Sequence, residues 1–134
     1  MTDPPARLRH GAGGLPRALD RAAGIQAIPG NDVTILIDGH ETYAAMHAQI
    51  AAATHRIHFE NYIIHDDAVG MGFAEALIAK AKAGVVVRVL YDWAGSFSTS
   101  SRFWRMLRDG GVDVRAFGPP RLADPLVFFA RDHR

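Results

Sequence analysis

The sequence of 134 residues contains no cysteine, which excludes disulfide bonds, thiolate metal sites and cysteine nucleophiles. It also lacks an excess of charge of either sign, because 15 basic residues stand against 14 acidic ones. Domains that bind nucleic acid through bulk electrostatics carry a clear basic excess, so a nucleic-acid partner is not expected. No uncharged apolar run approaches the roughly 18 residues of a membrane span. With 49% hydrophobic and 22% charged residues, the composition predicts one globular domain.

The common phosphate-binding and nucleophile motifs are missing as well. A dinucleotide-binding turn needs G-x-G-x-x-G after the first strand, whereas only Gly39 stands there. Neither a P-loop nor a G-x-S-x-G nucleophile elbow occurs. The sequence therefore gives no sign of nucleotide binding by these routes.

Apolar residues are spaced for strands that alternate with helices. Residues 1–29 form a Gly-, Pro- and Arg-rich leader, expected to be flexible, and residues 30–134 form the predicted domain. The predicted elements are a short helix at Leu15–Ala23, then strand Val33–Ile37, helix Glu41–Thr54, strand Arg56–Ile64, helix Val69–Ala83, strand Val85–Tyr91, helix Ser100–Arg108, strand Val112–Phe117 and a fifth apolar run at Leu126–Ala130. This alternation predicts an α/β sheet, with strand 85–91 at its centre and covered on both faces. Ligands of such sheets bind at the carboxyl ends of the strands.

The polar residues near the predicted strand ends are the candidate site residues, namely Glu60, Asp92, Gly95, Ser96 and His133. A carboxylate inside an apolar strand requires a partner, so Glu60 is either part of a site or half of a buried salt bridge. Asp92 either lines the site or ends its strand with an Asx turn into Gly95.

Residues 55–67 contain several side chains that could bind a metal ion. Six potential ligands lie close together in the sequence: His55, His58, Glu60, His65, Asp66 and Asp67. Alternation places His58 and Glu60 on one strand face, but His65 points the other way and His55 lies before the strand. We therefore expect no metal site here.

Taken in order, five segments match a known pattern. They are Gly30-Asn31-x-Val33 with Leu36 and Asp38-Gly39; Ile57-x-Phe59-Glu60-x-Tyr62-Ile63; Gly84-Val85-x-Val87-Arg88-Val89-Leu90-x-Asp92 with Gly95-Ser96; Gly111-Val112-x-Val114; and Asp132-His133-Arg134. Together they resemble the first half of a bacterial cardiolipin synthase of the phospholipase D superfamily. The resemblance covers roughly residues 30 to 134.

The resemblance implies an α-β-α layered phospholipase D-like half-domain with a mostly parallel mixed sheet. The family's signature is H-x-K-x4-D, and His133 and Arg134 match its first two positions. The sequence stops one residue before the expected lysine, so we expect an incomplete first domain. His133 is then the catalytic residue, while Glu60, Asp92, Gly95 and Ser96 occupy family positions that would line the site. The family's chemistry requires no metal and no cofactor.

The resemblance also implies a reaction and its partners. A phosphohistidine intermediate would carry the phosphatidyl group of a phosphatidylglycerol-type lipid to an acceptor hydroxyl. The second motif would come from a missing C-terminal half, so the chain by itself should be inactive. A peripheral place on the cytoplasmic face of the bacterial inner membrane follows from the lipid substrate. Two alternatives remain, a phospholipase D-type phosphodiesterase or nuclease and a non-catalytic module that binds a membrane or a partner protein.

Overall fold

The computed structural model describes residues 14–26, 28 and 30–120. The chain divides into two compact units, Met1–Thr42 and Tyr43–Arg134. Its elements are α1 (Gly14–Ala23), α2 (Gly39–Ala52), β1 (Arg56–Asn61), α3 (Ala68–Lys82), β2 (Val86–Asp92), α4 (Ser101–Asp109) and β3 (Asp113–Phe117). The fifth predicted run, at Leu126–Ala130, lies outside the described residues.

The first unit contains α1, as predicted, but the predicted strand Val33–Ile37 is wrong. These residues have no regular secondary structure, and the side chain of Ile37 is 87% exposed. Strand propensity describes how well a residue fits a paired, half-buried surface, and no described strand pairs with this run. The β-branched residues of this run therefore do not form a strand without a pairing partner.

The residues directly after this run, Asp38 and Gly39, form the start of α2. The Asp38 carboxylate accepts a hydrogen bond from the Glu41 N–H at 2.9 Å, and the Glu41 carboxylate accepts one from the Ile37 N–H at 3.1 Å. This reciprocal pattern satisfies backbone donors that a helix start otherwise leaves free. Asp38 thus caps α2.

Within its described residues, the second unit contains a parallel sheet of three strands in the order β1-β2-β3. Ile57 pairs with Val87, and Val89 pairs with Val114, so the three strands lie in register. Among the described strands, the expected parallel pairing and the central position of the strand near residues 85–91 are confirmed, while the mixed sheet stays a prediction.

Helices α2, α3 and α4 cover one face of this sheet through a shared apolar core. Alternate strand residues point into the core, as the pleat requires. The buried apolar residues are Ile50, Ile57, Phe73, Ala74, Leu77, Val85, Val87, Val89, Tyr91, Phe103, Trp104, Leu107, Val112 and Val114. Tyr91 stacks on Trp104 with ring centroids 3.8 Å apart, so this tryptophan belongs to the core.

The opposite face of the sheet differs from the expectation that β2 would be covered on both sides. Val86 and Arg88 are exposed there, and Leu90 is half-buried. The described residues therefore show a mixed α/β fold with one helical layer on the parallel sheet, and the second helical layer stays a prediction.

The ends of α3 and α4 follow their sequence signals. Asp67 accepts a hydrogen bond from the Gly70 N–H at 2.9 Å, and Ser100 accepts one from the Phe103 N–H at 3.3 Å. Gly84 follows the last turn of α3 with a φ of 87°, a conformation that glycine adopts without a steric penalty.

Candidate functional site

The carboxyl ends of β1 and β2 bring two loop segments together, residues 61–64 and residues 92–99. Asp92 ends β2 with a buried side chain, and its carboxylate accepts a hydrogen bond from the Gly95 N–H at 2.8 Å. The Ser96 N–H donates to the Asp92 carbonyl at 3.0 Å. Asp92 therefore ends its strand in a turn closed at Gly95, although its side-chain hydrogen bond reaches three residues on and not the two of an Asx turn.

Ser96 joins this turn to the segment after β1. Its side chain is 1% exposed, and its hydroxyl accepts a hydrogen bond from the Ile64 N–H at 3.0 Å. The same hydroxyl lies 3.4 Å from the Tyr62 carbonyl, to which it donates. Thr99 adds a hydrogen bond from its hydroxyl to the Ile64 carbonyl. Two buried hydroxyls thus satisfy the backbone of a segment that has left the sheet.

Gly95 is required by the closeness of the two segments. A β-carbon at this position would lie 2.3 Å from the Tyr62 carbonyl oxygen, well inside van der Waals contact. Gly95 therefore allows the backbone of the β2–α4 loop to rest against Tyr62. We call the structural unit formed by these residues the strand-end clamp. It consists of Asp92, Gly95, Ser96 and Thr99.

Glu60 does not belong to the clamp, and the expectation that its side chain is buried in an apolar strand is wrong. It lies exposed on the sheet face that the helices leave open, next to Leu90 of β2. Its exposure follows from the pleat, since Ile57 and Phe59 take the inward positions of β1. Glu60 and Asp92 both line a recess at the strand ends of about 20 Å³, which has room for roughly one water molecule.

A larger groove of about 390 Å³ crosses the open face of the sheet. His58, Glu60 and Leu90 contribute to it beside a group of charges on β2 and β3. Two nitrogen atoms of Arg115 bind the two carboxylate oxygens of Asp113 at 3.1 and 3.0 Å. These hydrogen bonds, with the positive charge of Arg115, hold the pKa of Asp113 below its ordinary value.

A second carboxylate with a lowered pKa stands where α4 begins. Hydrogen bonds from Ser100, first from its hydroxyl and then from its backbone N–H, lower the pKa of Asp66. The backbone N–H lies 3.3 Å from the Asp66 carboxylate. This contact ties the segment after β1 to α4, next to the strand-end clamp.

Three remaining points concern the catalytic candidate His133, a metal site and a membrane span. His133 lies outside the described residues. Among the residues that are described, no three His, Asp or Glu side chains converge as a metal site. Over the same residues, no helix has both the length and the apolar character needed to cross a membrane.

Sequence reasoning missed Thr99 and Asp66, both of which hold the two segments together. The run Ser96-Phe97-Ser98-Thr99-Ser100 carried a signal, because four hydroxyl residues in a loop offer donors and acceptors for backbone groups. Which of these hydroxyls would turn inward depends on the position of residues 62–64.

Three curated relatives match most of the chain. Cardiolipin synthase A of Pseudomonas entomophila is 39% identical over 105 residues, which is 78% of this chain and 22% of the relative. A cardiolipin synthase of a Geobacillus species is 43% identical over 91 residues, 68% of this chain and 18% of the relative. Cardiolipin synthase 2 of Bacillus cereus is 38% identical over 121 residues, 88% of this chain and 23% of the relative. The chain therefore spans about a fifth of the length of these relatives.

No protein-family model and no solved structure matches the chain. The agreement with these relatives places the chain among the phospholipase D-like proteins, and its parallel α/β sheet is compatible with that class. Within that class it is a cardiolipin synthase-like chain, and the resemblance found in the sequence is confirmed.

Proposed function

We propose that this chain supplies part of a phosphatidyltransferase that joins phosphatidylglycerol-type lipids. The observation that carries the proposal is the identity of 38–43% to three cardiolipin synthases over 68–88% of the chain. The relatives are much longer than the matched segment, so the proposal concerns a protein to which this chain contributes one piece.

His133 is the proposed catalytic residue of this piece. One histidine attacks the lipid phosphorus, a phosphorus–nitrogen bond forms, and the bond to the departing glycerol oxygen breaks. A second histidine, from a second motif outside this chain, protonates that oxygen and then takes the proton of the acceptor hydroxyl as it displaces the first histidine. His133 can fill either of these two roles, because imidazole serves both as nucleophile and as acid.

The strand-end clamp supports a positioning role for Asp92, Gly95 and Ser96 in this proposal. Their contacts hold the segment after β1 at the sheet edge where α/β proteins bind ligands. None of the three has to touch the lipid for that role. Glu60 is proposed to line the site from the open face, where the residue is exposed.

Two exposed apolar side chains support contact with a lipid surface. Phe97 is 75% exposed, and Ile63 is also exposed, at the carboxyl end of the sheet. Burying exposed apolar side chains at a bilayer interface is favourable. We propose a peripheral position on the cytoplasmic face of the bacterial inner membrane, with this end toward the lipid.

The test uses a chimera in which this chain replaces the matching segment of the Bacillus cereus relative. Its formation of cardiolipin is assayed from labelled phosphatidylglycerol. We expect the chimera to form cardiolipin, the His133→Ala chimera to lose that activity, and the His55→Ala chimera to keep it. His55 is a matched control because it is an exposed histidine before β1. Residues 1–134 alone should form no cardiolipin.

Cardiolipin formation by the isolated chain, or an active His133→Ala chimera, would contradict the proposal. Cleavage of DNA by an intact chimera that leaves the lipid unchanged would favour the phosphodiesterase alternative. Lipid binding without turnover by a folded chimera would favour the non-catalytic module.

A further inference from the structure

The outward side of α4 carries a row of arginines that the proposed catalytic role does not use. Arg102, Arg105 and Arg108 follow each other at steps of three residues, and all three are exposed. Residues three apart are neighbours on a helix surface, so these three form a stripe about 9 Å long, which we call the arginine stripe. The opposite side of α4 faces the core, where Trp104 is buried. Packing of the core therefore fixes the stripe toward solvent.

The positive charge of the arginine stripe is not neutralised within the part of the chain that the structure describes. No hydrogen bond or ion pair among those residues holds any of its three guanidinium groups. Asp109 is the one acidic residue of α4, so three arginines against one aspartate leave the helix a net charge of +2. The arginines of the open sheet face differ, because nitrogen atoms of Arg88 and Arg115 lie 3.8 and 3.0 Å from the Asp113 carboxylate. The stripe therefore offers its charge to an anion outside the chain.

Two exposed apolar side chains lie beside the start of α4. Ile64 and Ser96 are joined by a hydrogen bond of 3.0 Å, and each is next in the chain to an exposed apolar residue, Ile63 and Phe97 respectively. The strand-end clamp thus holds these two residues, which we call the apolar pair, at one edge of the molecule. Phe97 stands four residues before Ser101, where α4 begins. Apolar side chains that enter a bilayer interface next to basic ones are typical of membrane-surface helices.

We propose that the arginine stripe and the apolar pair form one docking surface for a bilayer that contains anionic phospholipids. The arginines contact lipid phosphates along α4, and the apolar pair enters the headgroup region at its amino end. The inference rests on the proposed function for the identity of the lipid, since phosphatidylglycerol is anionic as well as the proposed substrate. A nucleic acid would match the charge of the stripe but leave the apolar pair in water, and the chain has no bulk basic excess.

The direction of α4 connects this surface with the proposed site. The helix begins in the loop that follows the carboxyl end of β2 and ends before the start of β3, so it runs back along the parallel strands. Arg102 is therefore the arginine of the stripe closest to the strand-end clamp. Docking along α4 brings the carboxyl edge of the sheet to the headgroups, where the substrate phosphate lies.

The test measures how the 134-residue chain sediments with vesicles of phosphatidylcholine alone and of phosphatidylcholine mixed equally with phosphatidylglycerol. We expect binding to the mixed vesicles only, and weaker binding as salt is added. The triple variant Arg102→Gln, Arg105→Gln, Arg108→Gln should bind them about a hundredfold more weakly, because each basic residue near an anionic surface strengthens binding about fivefold. Replacing the same three arginines by lysine keeps the charge and should retain most of the binding.

A second triple variant controls for net charge. Arg56→Gln, Arg88→Gln and Arg115→Gln together remove the same charge from exposed positions on the open sheet face. This variant should bind mixed vesicles within about twofold of the unmodified chain, because salt screens charges that lie more than about 10 Å from the lipid. Circular dichroism checks the fold of every variant.

The apolar pair has its own matched variants. Phe97→Ser removes an apolar side chain that enters the interface and should weaken binding about tenfold. Val86→Ser removes an exposed apolar side chain from the open face and should leave binding unchanged. Equal losses in the two variants would contradict a role for the apolar pair.

Cardiolipin formation by the chimera separates this inference from the proposed function. With the three stripe arginines changed to glutamine, the chimera should lose activity on mixed vesicles but keep it on phosphatidylglycerol dispersed in detergent micelles, where no bilayer has to be bound. Loss of activity in micelles as well would overturn a role limited to docking. An unsubstituted chimera that forms no cardiolipin would contradict the proposed function, while vesicle sedimentation would still decide on the docking surface.

Three sedimentation results would overturn the inference. Equal binding to both kinds of vesicle, or to neither, would mean that anionic lipid is not recognised. An equal loss of binding in the two triple variants would attribute the effect to net charge and not to the arginine stripe. Stripe-dependent binding of a DNA duplex by a chain that does not sediment with mixed vesicles would make nucleic acid the partner.

Discussion

The two faces of the sheet are made by alternate residues of the same strands, yet they obey different rules. On β2, Val87 and Val89 are buried under the helices, whereas Arg88 on the other face is exposed. On β3, Val114 is buried and Arg115 is exposed beside Asp113. On the covered face, stability depends on close packing and on the exclusion of water. On the open face, charged side chains are in contact with water, where a single ion pair contributes little to stability.

The strand-end clamp behaves like the covered face although its side chains are polar. Within the part of the chain that the structure describes, no buried side-chain nitrogen or oxygen lacks a hydrogen-bond partner. A buried hydroxyl that satisfies two backbone groups cannot be removed without leaving those groups unpaired. Burial, and not polarity, therefore decides how much a substitution at a position lowers the stability of the fold.

The largest expected contrast is between neighbouring residues of β2. Val89→Asn places an amide without partners among apolar side chains and should lower the free energy of unfolding by about 3 to 5 kcal/mol. Leu90→Asn on the open face should lower it by about 1 kcal/mol or less. Urea unfolding followed by circular dichroism measures both, and equal losses would show that the open face is covered in solution.

Gly95→Ala tests the clamp through its backbone contact. The added methyl group must displace the Tyr62 carbonyl, which should cost about 2 kcal/mol of stability. Gly72→Ala is the control, because the nearest atoms to its new β-carbon lie 4.0 Å away on His47. That change lies inside α3 and should stabilise the chain by about 0.5 kcal/mol. Stabilisation by both substitutions would mean that the two segments do not touch.

Ser96→Ala removes the hydroxyl that accepts from the Ile64 N–H, and a loss of about 1.5 kcal/mol is expected. Ser98→Ala in the same loop changes an exposed hydroxyl and should have an effect near zero. Amide hydrogen exchange adds a local measurement, since the Ile64 N–H should exchange faster in the first variant only. Unchanged exchange at Ile64 would argue against this hydrogen bond.

The smallest effect is expected on the open face. Arg115→Gln removes the guanidinium that lowers the pKa of Asp113, so NMR titration should show that pKa rising toward its ordinary value of about 4. The ionised carboxylate stabilises the fold above that ordinary pKa, and this contribution is lost as the pH falls through the lowered pKa. Stability of the variant should therefore depend less on pH in this acid range. Arg102→Gln on α4 should leave the titration of Asp113 unchanged.

Much of the second unit was predictable because its signals are local. The helix predicted at Val69–Ala83, the strand at Val85–Tyr91 and the helix at Ser100–Arg108 all appear within one residue of those bounds, as α3, β2 and α4. The Val33–Ile37 run failed the same reasoning, because a strand needs a partner and propensity alone does not supply one. Asp38 shows the same limit, since an aspartate after such a run can end a strand or cap a helix, and here it caps α2.

The site was less predictable than the fold. Asp92, Gly95 and Ser96 are sequence candidates, but the contacts of Gly95 and Ser96 with residues 62–64 join positions more than 30 residues apart, such as Ser96 and Ile64. Glu60 was assigned to a buried environment because its strand neighbours are apolar, and the pleat placed it on the open face instead. His133 as catalytic residue stays a prediction.

The sequence alone determined the order of strands and helices from α2 to β3, the central place of β2 among them and the membership in a cardiolipin synthase-like group, because periodicity and motif order are written along the chain. Among the described residues, only the tertiary structure decided which face of the sheet is exposed and which hydroxyls hold the strand ends together. Those features depend on which distant segments meet, and burial then gives the same residue type a structural role at Ser96 and none at Ser98.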